Sequence, residues 1–202
     1  METRDHLQLV NWLLLCRGNH FSHAFAAGLR IGSVLPDCNP LTYMRGIREG
    51  QGLYGHNAEI TMRKISGIVS DLSQPQEMGF LYGLRLGTAL HYLADAFTYP
   101  HHAYYPGTLA DHVAYERTLH GVFTDFLTGN VILTDQAEAD FTAYLCDMLV
   151  LYRKCRKSEY SDCRFITRMC HAALETVLRH QENEDEVRNE NSDYIRPVSV
   201  VR

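Results

Sequence analysis

The sequence contains no run of roughly eighteen uncharged apolar residues, the length that a membrane-spanning helix needs. No transmembrane segment is expected. It also lacks a C-x-x-C pair, and its six cysteines, at positions 16, 38, 146, 155, 163 and 170, follow no small-scaffold spacing. They read as reduced thiols, which points to a reducing compartment. Positive charge is in short supply: 19 Lys and Arg stand against 24 Asp and Glu, a formal net charge of −5. A balance of that sign argues against affinity built on a broad basic surface for nucleic acid, although a local phosphate pocket is compatible with it. No stable nucleic-acid partner is expected. The one stretch resembling a signal peptide, Leu7 to Cys16, has Glu2 and Asp5 in place of a basic start, is interrupted by Asn11, and is followed by Arg17 and His20. The reading is a soluble, cytoplasmic protein.

Strand signals are scarce as well, and apolar residues recur at three and four along most of the chain, so the expected fold class is all-α. The length suits a single multi-helix bundle over residues 1–180, followed by a charged and frayed tail at 181–202. Helices are expected at about 3–17, 20–30, 57–70, 76–99, 110–128, 135–157 and 161–180. A long irregular segment, 31–55, separates the second from the third, and a loop longer than packing needs is more often functional than idle. Gly79, Gly83 and Gly87 recur every fourth residue on the central helix. Such a stripe implies close approach of a neighbouring helix, since each glycine otherwise costs the helix roughly 1 kcal/mol.

What the chain has in quantity is histidine beside carboxylate. The stretch from His91 through Asp95 to His101 and His102 is followed by His112 and Glu116. Residues four apart share a helix face, so His91 with Asp95, and His112 with Glu116, each present one imidazole and one carboxylate in one direction. Imidazole nitrogen and carboxylate oxygen without thiolate suit the open kind of zinc site that keeps room for a catalytic water. Asp37 and His56 add a carboxylate and an imidazole in or beside the long loop.

The order Asp37, His56, His91, Asp95, His101, His112, Glu116 resembles the zinc-dependent phospholipase C family, over about residues 20–125. That family's helical domain carries a histidine, an aspartate four on, a histidine six further, and then an H-x-x-x-E pair. The resemblance implies one zinc on Asp37, His56, His91 and Asp95, and a second on His101, His112 and Glu116. It implies a catalytic role for Asp37, orienting or deprotonating the attacking water. It also implies a third zinc that shares Asp95 and takes an early histidine with a free amino terminus. His23, or failing it His20, offers the imidazole, but no processing site exposes an amine nearby, so two zinc sites are expected.

The plain alternatives stay in view. The two i,i+4 pairs would make ordinary surface ion pairs if exposed, but Tyr92, Leu93, Ala94 and Phe97 around the first call for burial. Pro36-Asp37 is also a common turn step. His6, His171 and His180 lie far from the motifs and read as surface or satisfied core residues, and His120 as a residue behind the ligands or on the surface. The expected activity is metal-dependent hydrolysis of a phosphodiester, a phospholipid or a soluble analogue, by a zinc-activated water. Two other functions fit the same residues: a single-strand nuclease on the same kind of scaffold, and a non-catalytic metal-binding or sensing protein.

Overall fold

The computed structural model describes residues 1–18, 21–38, 58–74, 76–129 and 138–194. Seven α-helices and no strand occur among them: α1 (Thr3–Cys16), α2 (His23–Cys38), α3 (Ala58–Leu72), α4 (Phe80–Ala96), α5 (Leu109–Thr128), α6 (Phe141–Lys154) and α7 (Glu159–Tyr194). A 3₁₀ turn, Tyr99–His101, follows α4. None of these helices is long and apolar enough to cross a membrane.

The central element is α4, of which residues from Tyr82 to Ala96 are mostly buried. Its glycines decide how α2 lies on it. A β-carbon at Gly83 would stand 2.2 Å from the Phe25 carbonyl oxygen, and one at Gly32 would stand 2.1 Å from that of Leu84. Gly28 and Gly87 make the same kind of backbone approach, while Gly79 caps the helix and faces open space. The expected stripe therefore holds at Gly83 and Gly87, and its partner is a second pair of glycines, Gly28 and Gly32, also four apart. Continuing the stripe by four from Gly87 gives His91, and by four again Asp95. The face that meets α2 at backbone distance is thus the face that carries the candidate ligands.

Two boundaries differ from expectation, each for a local reason. The irregular segment begins later than residue 31, because α2 runs through Pro36 to Cys38. Proline there removes the N–H that would bond the Gly32 carbonyl, yet Asp37 in the last turn is held by the Thr3 hydroxyl of α1 at 2.8 Å and faces His91 of α4 at 3.5 Å. Asp37 consequently sits on a helix and not in a loop. At the far end, α7 passes the expected stop at residue 180 and continues to Tyr194. Gln181 is buried and donates to the carbonyls of Leu72 and Gln74, at 3.2 and 3.0 Å, which ties that part of α7 to the end of α3.

The remaining helices follow the apolar pattern. On α5, Leu119, Phe123 and Leu127 are buried one turn apart, and Thr108 with Asp111 forms the capping box that starts the helix. His112 and Glu116 lie on the same stripe, two turns and one turn before Leu119 respectively. Helix α1 buries His6, Leu9, Val10, Leu13 and Leu14, and it ends at Gly18, whose φ of 72° is the left-handed conformation that glycine adopts without penalty.

Candidate metal centre

Two groups of donors meet at the end of α4. In the first, His91 is fixed by its Nδ1, which lies 2.9 Å from the Ser33 carbonyl oxygen of α2. With the proton on Nδ1 donated there, Nε2 keeps its lone pair and faces Asp95 Oδ2 at 3.3 Å and Asp37 Oδ1 at 3.5 Å. A backbone carbonyl orienting the far nitrogen of an imidazole is the usual arrangement behind a metal-binding histidine. Asp37 is held from its other side by the Thr3 hydroxyl, which donates to Oδ2 at 2.8 Å.

In the second group, a single oxygen collects three nitrogens. Glu116 Oε1 lies 2.8 Å from the Met1 amino nitrogen, 3.0 Å from His101 Nε2 and 3.0 Å from His112 Nε2. The Met1 nitrogen also lies 3.1 Å from Asp95 Oδ1 and 3.1 Å from His101 Nε2, so it joins the two groups. His101 comes from the 3₁₀ turn, and His112 and Glu116 from one face of α5, as their spacing implies.

Burial and charge set the protonation of these groups. Burial alone would raise the Asp95 carboxyl, but its neighbours His101, the Met1 amine, His91 and His6 outweigh that and hold it well below the usual carboxylate range. Glu116 is likewise driven far down: hydrogen bonds from His101 and His112 overcome the cost of its burial. Burial opposes the charge on the Met1 amine, yet Asp95 and Glu116 raise it to about 11. The pocket is an anionic cage that calls for positive charge, and the ammonium group answers that demand in this structure.

His6 is the residue that the sequence reading placed elsewhere. Its ring is buried, stacks on His91 with centroids 3.9 Å apart, and brings Nε2 to 3.3 Å from Asp95 Oδ1. Neither ring nitrogen makes a hydrogen bond, and burial, helped by His91, pushes its pKa down to about 4. A neutral buried imidazole with unsatisfied nitrogens beside a carboxylate is suited to a cation. The signal was present in α1, where His6 shares the apolar face of Leu9, Val10 and Leu13, a position that a surface histidine does not take.

His23 lies away from this cluster, against expectation. It is exposed at the first residue of α2, fourteen residues before Asp37 and hence about 21 Å from it along the helix axis. The early imidazole beside Asp95 is that of His6. His20 and His56 fall outside the described residues. His120, one turn beyond Glu116, bonds Asp5, whose other oxygen accepts the Glu2 amide at the start of α1. His102, adjacent to His101, turns the other way and packs against the rings of Tyr104 and Tyr152.

The donors fit zinc by type and by spacing. His6, His91 and Asp95 place one ligand atom each within 4.8 Å of the others, and so do His101, His112 and Glu116. Among the described residues no cysteine joins either set, so each retains the open character of a site that admits water.

A sequence model of the family described as zinc dependent phospholipase C matches residues 5–175. No curated protein and no solved structure matches the chain.

Proposed function

The chain belongs to the zinc-dependent phospholipase C family, and from that premise we propose that it is a zinc-dependent phosphodiester hydrolase. The observation that carries the reading is the position of Asp95. Its two oxygens face three imidazoles, His91 at 3.3 Å, His6 at 3.3 Å and His101 at 3.7 Å, so one buried carboxylate stands between both donor sets.

In this reading Asp37, His91 and Asp95 hold one zinc, with His56 as the fourth donor that the family pattern gives it. His101, His112 and Glu116 hold a second. His6, Asp95 and the Met1 nitrogen are of the kinds that the family uses for a third, in place of His23. Bound zinc supplies a water of lowered pKa and positive charge for the non-bridging oxygens of a phosphodiester. The protein's own groups do the rest. Ser33 fixes the tautomer of His91, and Thr3 fixes one oxygen of Asp37. The free oxygen of Asp37 is then directed at the first set, where it orients the attacking water and accepts its proton. Its partial exposure leaves that oxygen open to substrate, in contrast to the buried Asp95.

The substrate is a phosphodiester, a phospholipid or a soluble analogue. The test is elemental analysis of protein purified without added metal, alongside His91→Ala and Glu116→Ala, followed by assay on a phospholipid and on single-stranded nucleic acid. The expected result is about two zincs per chain, with His91→Ala and Glu116→Ala each losing one and any equivalent above two being lost in His6→Ala, together with release of a phosphorylated headgroup. Cleavage of the nucleic acid without headgroup release would assign the site to a nuclease. Bound zinc with no turnover on either would leave a metal-binding protein.

A further inference from the structure

One buried carboxylate outside the donor sets touches the segments that carry the second of them. Asp162, in the first turn of α7, is fully buried. Its Oδ2 accepts the Tyr99 amide N–H at 2.9 Å and the Tyr115 hydroxyl at 2.9 Å, and its Oδ1 accepts the Tyr152 hydroxyl at 2.6 Å. Tyr99 opens the 3₁₀ turn that ends at His101, and Tyr115 is the residue before Glu116 on α5. The same oxygen therefore fixes the turn bearing one donor and the helix bearing the other two. None of its partners belongs to the first set.

The geometry points to Asp162 as the positioning residue of the His101, His112 and Glu116 site, acting through Tyr99 and Tyr115 and touching neither metal nor substrate. A carboxylate is suited to this work because it accepts several hydrogen bonds at once in fixed directions, and charge-assisted bonds of this length are about twice as strong as neutral ones. Partners behind metal ligands typically tune affinity by roughly tenfold to a hundredfold. The effect is local: α2 and α4, which build the first site, are held together by their glycines and do not depend on Asp162.

The inference rests on reading those three residues as one zinc site, and the experiment separates the two. Zinc is titrated against a chromophoric chelator into wild type, Asp162→Asn and Tyr115→Phe, with Tyr152→Phe for comparison, and the cobalt-substituted proteins are compared by visible absorption. Asp162→Asn and Tyr115→Phe are expected to weaken, by roughly tenfold or more, the equivalent that Glu116→Ala abolishes, and to alter the cobalt bands of that site. The equivalent abolished by His91→Ala stays within about twofold of wild type in both, and Tyr152→Phe changes neither. Equal loss at both sites, or loss at neither, overturns the inference while leaving the metal reading intact. A wild type that takes up no zinc overturns both. Where Asp162→Asn fails to fold, Tyr115→Phe alone decides.

Discussion

Gly87 rests against the backbone of Leu29: a β-carbon there would meet the Leu29 carbonyl oxygen at 2.2 Å. Backbone cannot yield as a flexible side chain does, so Gly87→Ala must push α2 away from α4. Overpacking of this sort costs about 1–3 kcal/mol. Urea denaturation should show a loss of at least that size in Gly87→Ala. Gly67→Ala, on α3 where nothing lies within 4 Å, should instead gain up to about 1 kcal/mol from better helix propensity. Equal effects in the two variants would contradict the backbone seam.

The same seam delivers the Ser33 carbonyl to His91, so the Gly87→Ala protein, where it remains folded, should also bind zinc less tightly at the Asp37, His91 and Asp95 site. Unaltered affinity there, measured by chelator competition, would separate helix packing from the metal centre.

How much of this was legible beforehand differs between residues. His91, Asp95, His101, His112 and Glu116 were readable because helix periodicity fixes which side chains share a face. Gly83 and Gly87 were readable as a close-approach stripe, but not their partners Gly28 and Gly32, since Gly28 fell near the end of a short expected helix and Gly32 in the segment that read as a loop. Pro36 argued for that loop from local chemistry, and tertiary contact overrode it. His6 was passed over because its role depends on α1 folding back onto a helix 85 residues away, a relation that no local spacing encodes. Asp162 was invisible for the same reason.

Asp37→Asn keeps an oxygen for the Thr3 hydroxyl and removes the charge. Turnover is expected to fall by at least about a hundredfold, in line with loss of a general base, while the circular dichroism spectrum is retained. Wild-type rates in this variant would reassign the base.

The stability of the protein should carry a signature of Asp162. Burial pushes its carboxyl up from 3.8 to about 6 despite the three hydrogen bonds it accepts. A raised carboxyl favours the folded state most below pH 4, and this contribution is lost as pH rises through 6. Relative to Asp162→Asn, wild type should therefore decline by an amount on the order of 3 kcal/mol between pH 4 and 6, and stay level above. Thermal unfolding of both proteins across that range gives the difference. A difference that grows with pH would mean that hydrogen bonding outweighs burial at this carboxylate.

Chelation offers a further check on the anionic cage. Taking zinc from His91, Asp95, His101, His112 and Glu116 leaves buried negative charge balanced by imidazolium and ammonium alone, so the melting temperature should drop on adding a chelator and recover with zinc. An unchanged melting temperature would count against metal binding by these residues.

Pro36 has a consequence for how the end of α2 behaves in solution. Having no amide hydrogen, it offers no proton to the Gly32 carbonyl, near which the Thr88 hydroxyl lies at 3.4 Å. Helix-promoting solvents such as trifluoroethanol strengthen amide-to-carbonyl bonds, and here that bond has no donor to strengthen. The turn carrying Asp37 is thus one amide-to-carbonyl bond short of an ordinary helix end, and the Thr3 hydroxyl of α1 helps to set its aim.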